Sequence, residues 1–230
     1  MIEKSFVSGD IRSRLMAPDG DIPLLIHIID DIENADAFYD AASRYGAGIA
    51  VTEIPDWDEL LSPWSAPAAF KSTADFGGKA DIFLRELTGD IIPNIESFLP
   101  SPPRRRGIGG YSLAGLFALY SFWRTGVFDA GFSASGSMWY DGFTEYIAKN
   151  DPVRVPDIFC FSLGDTEHRS RSPRLASVLE NTFKAFRRLG ELGAGTTLIF
   201  DRGGHFDDET ARMCDLISCV SIRSNESKQM

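Results

Sequence analysis

Short apolar runs recur along the chain, spaced so that a helix fits between most successive pairs. They are "IPLLIHII" (22–29), "GIAVTEI" (48–54), "RGIGGY" (106–111), "AGFSAS" (130–135), "DIFCFSL" (157–163) and "TTLIFD" (196–201). Most are continuous rather than alternating, as strands buried on both faces are. The segments between them have helical spacing. "NADAFYDAASRYG" (34–46) carries Phe38, Tyr39, Ala42 and Tyr45 and stops at Gly46. "GKADIFLRELTGDIIPNIESFL" (78–99) carries Ile82, Phe83 and Leu87, then Ile91, Ile95 and Phe98, with interruptions at Gly89 and Pro93. In "SPRLASVLENTFKAFRRLG" (172–190), Ser172 suits a cap and Pro173 a first turn. Leu175, Val178, Leu179, Phe183 and Phe186 share a stripe, and Gly190 ends it. Strands alternating with helices predict an α/β fold, a mostly parallel sheet covered on both faces. One domain is expected over 1–221, followed by a polar C-terminal tail at 222–230.

In such sheets reacting groups gather beyond the C-terminal strand ends. One strand end stands out. In "RRRGIGGYSLAGLFALYSFW" (104–123), Ser112 has Gly110 two places before it and Ala114 two places after it. A serine hydroxyl is a weak nucleophile at neutral pH and needs exposure, a base and oxyanion donors. A sharp turn from strand into helix supplies exposure, and the backbone N–H of the next residue, Leu113, becomes a donor. That turn crowds strand against helix, so the flanking positions must be small. Leu113, Leu116, Phe117 and Tyr120 then continue at helical spacing. The weak point is the strand itself, with three glycines and one aliphatic residue. "GFSAS" (131–135) repeats the pattern around Ser133, but two glycines and no helix start follow it, so Ser133 reads as an ordinary strand-end residue.

The chain has three histidines. His27 lies inside an apolar run and reads as a core residue, and His168 reads as solvent-facing. His205 follows the last strand run and two glycines, where a loop can swing it inward, so it is the expected base. The run ending at Gly164 is followed by Asp165 and Glu167, either of which could orient the imidazole. Serine, acid and histidine then come in the chain order of the α/β-hydrolases. The second oxyanion donor is expected in the loop after an early strand, at the backbone of Asp30 or Asp31.

Composition narrows the partners. The 230 residues are 43% hydrophobic and 24% charged, as in a soluble globular chain. A net charge of −10 disfavours nucleic acid, and the one obvious basic cluster, Arg104 to Arg106, reads as solvated. No apolar stretch is long enough to cross a membrane, and "MIEKSFVSGD" lacks the apolar core of a signal peptide. Cys160, Cys214 and Cys219 have neither disulfide-framework nor zinc-ligand spacing, and Cys160 sits in an apolar run. A reducing cytoplasm is the simplest setting.

Several segments together resemble a serine esterase family that includes the enterochelin (trilactone siderophore) esterases, within the α/β-hydrolase fold. They are "PLLIHIIDD", "LLSPWSAPAAF", "GGKADIFLRELTGDIIPNIES", "GGYSLAGLFALYSFW", "SASGSMWYDGF", "SLGDTEHRSRSPRLASVLENT" and "DRGGHFDD", covering residues from about 20 to 220. The resemblance implies Ser112 as nucleophile and His205 as base. Related α/β-hydrolases carry the acid three residues after the strand-end glycine, which implies Glu167 rather than Asp165. It also suggests Trp139 as a pocket wall, with Tyr111 beside the nucleophile a further pocket candidate. Ala114 stands where glycine is more usual. The short region before residue 20 implies that the family's antiparallel edge strands are trimmed.

The resulting expectation is a carboxylic ester hydrolase acting on a small-molecule ester, with oxyanion donors at the backbone of Leu113 and Asp31. No metal or organic cofactor is implied. Acyl transfer to an acceptor other than water, or a catalytically silent binding protein, are the alternatives. Trp57, Trp64, Trp139, Tyr140 and Phe206 are candidate cleft aromatics.

Overall fold

All six expected strands form. The structure, a computed structural model, describes residues 1–69 and 73–226. Its strands are β1 (Ile2–Ser8), β2 (Ile11–Ala17), β3 (Leu24–Ile29), β4 (Gly48–Glu53), β5 (Ser65–Ala66), β6 (Phe76–Gly77), β7 (Arg106–Tyr111), β8 (Ala130–Ala134), β9 (Ile158–Gly164) and β10 (Gly195–Asp201). Eight of them make one sheet in the order β1-β2-β4-β3-β7-β8-β9-β10, and β5 and β6 pair separately. From β4 to β10 every pairing in the large sheet is parallel.

The helices are α1 (Ala35–Ser43), α2 (Trp57–Leu60), α3 (Ala80–Glu86), α4 (Ile92–Ser97), α5 (Ser112–Arg124), α6 (Phe143–Lys149), α7 (Pro173–Ala176), α8 (Val178–Glu191) and α9 (Glu209–Glu226). Side chains of a strand alternate between faces, and β3 shows the consequence. Leu24, Ile26 and Ile28 join a core containing α3, α5, α6 and α8, whereas Leu25 and Ile29 join one containing α1 and α9. Both faces are apolar, so the strand reads as an unbroken hydrophobic run. Within α5 every residue from Leu113 to Trp123 is buried.

The structure departs from the expected elements in four places. The edge strands are present: β1 and β2 form an antiparallel hairpin, turned at Gly9 (φ 58°), and β2 pairs antiparallel with β4. The segment at 78–99 is not broken at Gly89 and Pro93. A π-helical turn over Leu87–Ile91 joins α3 to α4, and Pro93 sits in the first turn of α4, where it needs no N–H. The stripe on α8 is shifted, with Val178, Thr182, Ala185 and Leu189 fully buried. Residues 222–226 belong to α9, so the expected tail begins inside a helix, and 227–230 lie outside the described residues. Cys160 is buried as expected, and its Sγ lies 2.8 Å from that of Cys219 on α9. No helix among the described residues is long and apolar enough to cross a membrane.

His27 is a core residue, as its sequence setting predicts. It is fully buried on β3, edge-on to Phe38 at 4.6 Å between ring centroids. Burial lowers its pKa from 6.5 to about 4 against the weaker opposing pull of the Gly109 backbone. Between these values the unfolded chain binds a proton that the folded chain refuses, so stability falls as pH drops. The loss from this residue is about 3 kcal/mol at about 1.4 kcal/mol per pH unit. Urea unfolding at pH 6.5 and pH 4 is expected to show His27→Leu losing less stability over that interval than the parent by about this amount.

Candidate active site

β7 ends at Tyr111 and α5 begins at the next residue, so the chain turns from strand into helix at Ser112. Ser112 has φ 52°, a left-handed conformation that costs a residue with a side chain about 1–3 kcal/mol. The turn also explains the small neighbours. A Cβ on Gly110 would lie 2.4 Å from the Cβ of Ala114 and 2.9 Å from the carbonyl of Ile28. The glycines that make β7 poor strand material follow from the same crowding. A Cβ on Gly109 would lie 2.1 Å from the Phe132 ring of the neighbouring strand.

Three strand ends meet at this turn. Ser112 follows β7, Glu167 follows β9 and His205 follows β10. The Oγ of Ser112 lies 3.0 Å from Nε2 of His205, whose Nδ1 lies 3.0 Å from Oε2 of Glu167. The other carboxylate oxygen, Oε1, accepts from the Ser135 hydroxyl at 2.7 Å and from the Gly164 N–H at 2.7 Å. Burial by itself would raise the Glu167 carboxyl. Bonding and charge from His205, with help from Ser135 and Gly164, outweigh it and hold the group below the usual carboxylate value. Asp165 has a different place: its Oδ1 accepts the Gly203 N–H at 3.0 Å, clamping the loop that carries His205. The backbone continues that clamp, with Thr166 N–H bonded to the Gly203 carbonyl at 3.1 Å.

Ser112, Leu113, Glu167 and His205 border a cavity of about 570 Å³ walled by Trp57, Phe76, Trp139, Leu175, Val178 and Phe206. Asp58 and Arg169 add charge to its wall, and burial raises the Asp58 carboxyl. Trp139 is thus a wall residue, under the guanidinium of Arg174 at 5.0 Å. Trp64 and Tyr140 are not. The Trp64 indole N–H donates to the Asp141 carbonyl, and the Tyr140 hydroxyl donates to the Trp64 carbonyl. Tyr111 is also absent from the wall. It is buried, and its hydroxyl donates to the His205 carbonyl, which makes it a brace for the histidine loop. Leu113 lies in the first turn of α5, so its N–H has no acceptor within the helix. Asp31 is exposed and outside the cavity wall, with its carboxylate accepting the Glu33 N–H.

Three residues at the site have no sequence signature of their own. Ser137 lies 3.2 Å from Ser112, hydroxyl to hydroxyl, and its N–H donates to the Ser112 carbonyl at 3.0 Å. Ser135 has φ 46° and aims its hydroxyl at Glu167. Arg212, on α9, is 2% exposed and donates to Ser135 Oγ at 2.9 Å and to the Arg202 carbonyl at 3.0 Å.

No protein-family model matches the chain. The uncharacterized protein YbbA of Bacillus subtilis is 30% identical over 139 residues, which are 57% of this chain and 54% of that protein. The match therefore spans about half the length of that relative. Two solved structures superpose over nearly the whole chain. Siderophore hydrolase EstA from Aspergillus nidulans is 16% identical with a TM-score of 0.76, over 97% of this chain and 94% of that one. An IroE-like serine hydrolase from Shewanella oneidensis is 15% identical with a TM-score of 0.76, over 95% and 79%. At such identities the likeness establishes the fold, and the fold is that of the α/β-hydrolases.

Proposed function

We propose that the chain is a serine-dependent carboxylic ester hydrolase with Ser112, His205 and Glu167 as its catalytic triad. The observation that carries this reading is the unbroken chain of two 3.0 Å contacts from hydroxyl through imidazole to carboxylate. In this reading Nε2 of His205 takes the Ser112 proton as the hydroxyl attacks the ester carbonyl. It returns that proton to the departing alcohol, which leaves an acyl group on Oγ. A water deprotonated by the same imidazole then releases the acid. Glu167 holds the tautomer that keeps Nε2 free and stabilises the imidazolium.

The turn at Ser112 acts as a nucleophile elbow, and the Leu113 N–H receives the developing oxyanion. Ser137 also places its hydroxyl beside the nucleophile, 3.2 Å from Ser112 Oγ. For a second oxyanion donor we propose the loop after β3, whose Asp31 backbone would have to turn toward Ser112 from outside the cavity wall. The apolar wall suits a small-molecule ester with a hydrophobic acyl or alcohol part. Siderophore hydrolase and serine hydrolase, the activities named for the two superposed structures, are in keeping with ester cleavage here. Turnover of p-nitrophenyl acetate tests the reading: saturable release of p-nitrophenol is expected, and its absence would overturn the assignment.

A further inference from the structure

A guanidinium buried in a protein core is costly unless its charge and donors are met. Arg212 is 2% exposed, and each of its closest partners belongs to the strand ends and loops around His205 and Glu167. Its Nη1 is shared among Ser135 Oγ at 2.9 Å, Glu167 Oε1 at 3.4 Å and the Tyr111 hydroxyl oxygen at 3.4 Å. Nη2 donates to the carbonyl of Arg202 at 3.0 Å, three residues before His205, and Nε lies 3.7 Å from Asp201 Oδ2. One cation thus touches the end of β7, the end of β8, the acid after β9 and the strand that leads to the histidine.

The contacts divide the two oxygens of Glu167. Oε1 is occupied by the Ser135 hydroxyl, the Gly164 N–H and Arg212, while Oε2 faces His205. Ser135 can donate its single proton to Glu167 only if its lone pairs face Arg212, and the 2.9 Å contact imposes that orientation. We propose that Arg212 is a positioning residue which, through Ser135, fixes the Glu167 carboxylate so that Oε2 stays on Nδ1 of His205 during turnover. The inference rests on the triad reading given above. Other charged or titratable groups around this pair are Glu209 and Asp201, with Tyr111 against the imidazole at 5.4 Å between centroids. Arg212 is the one cation that touches both Ser135 and Glu167 among the described residues.

The test uses the full chain with Arg212→Met, Arg212→Lys and Ser135→Ala. Supporting positions of this kind are worth about 10- to 100-fold in activity. Arg212→Met is expected to lower kcat for p-nitrophenyl acetate in that range with KM nearly unchanged. The acid limb of its kcat/KM profile should move to higher pH, because the cation beside the Glu167 carboxylate is gone and that carboxyl takes a proton more readily. Arg212→Lys should recover part of the loss, and the downfield proton NMR signal of the Nδ1–H bonded to Glu167 should broaden in the Met variant. Wild-type kcat, acid limb and NMR signal in a folded Arg212→Met protein would overturn the inference. If that variant does not fold, Ser135→Ala decides by the same readings, with a fall in kcat supporting the inference and wild-type behaviour overturning it. A parent protein inert toward esters, whose NMR signal is nevertheless lost in Arg212→Met, would end the hydrolase reading while leaving the positioning role in place.

Discussion

Replacing Ser112 by alanine is expected to remove ester turnover almost completely, with kcat falling about 10⁵- to 10⁶-fold. The size of the effect follows from the unit in which the residue acts. Without the hydroxyl there is no acyl-enzyme, and His205 and Glu167 have no proton to relay, so a triad loses nearly everything with its nucleophile. The remaining rate belongs to substrate binding and the oxyanion donors. The fold is expected to survive, because among the described residues the Ser112 side chain bonds only to His205 and Ser137. Its φ of 52° is no harder for alanine than for serine. Stopped-assay kinetics with p-nitrophenyl acetate, beside circular dichroism of the same sample, checks both halves of the expectation.

Glu167→Gln is expected to cost about 10⁴-fold in kcat, for a reason the surrounding donors dictate. Oε1 of Glu167 receives the Ser135 hydroxyl and the Gly164 N–H, each at 2.7 Å, so the amide oxygen of a glutamine must occupy that position. Its NH₂ then faces Nδ1 of His205. An imidazole that accepts at Nδ1 carries its proton on Nε2 and cannot take one from Ser112. Asp165→Asn should cost less than about tenfold. Its amide oxygen can still accept the Gly203 N–H, the contact that Asp165 makes in the structure. Comparing kcat for the two variants therefore separates the carboxylates that the sequence leaves as alternatives.

The parallel part of the sheet was legible because burial on both faces leaves long apolar runs. β1 was not, because it lies at the sheet edge with most of its residues solvent-facing and carries Glu3 and Lys4. The signals for the hairpin were nevertheless there, in the Gly9-Asp10 turn between two short segments of mixed polarity. α9 also had a readable stripe. Met213, Leu216, Ile217 and Val220 stand at i, i+3, i+4 and i+7 and pack against the sheet, although Cys214, Asp215 and Ser218 lie between them.

The site divides in the same way. Ser112 and His205 were legible because each occupies a strand end and histidines are few. Arg212 was not, since an arginine on a helix of mixed polarity reads as a solvated charge until three-dimensional packing buries it. Tyr111 follows the nucleophile strand so directly that it invites a pocket role. Yet side chains alternate along a strand, and its ring goes to the face opposite the cavity, among the residues packed with α9.

The most direct test of the central claim is covalent. The intact protein treated with a fluorophosphonate should gain one adduct per chain, and peptide mapping should find it on Ser112, with labelling abolished in Ser112→Ala. An unlabelled protein, or an adduct on Ser133, Ser135 or Ser137 in place of Ser112, would contradict the account.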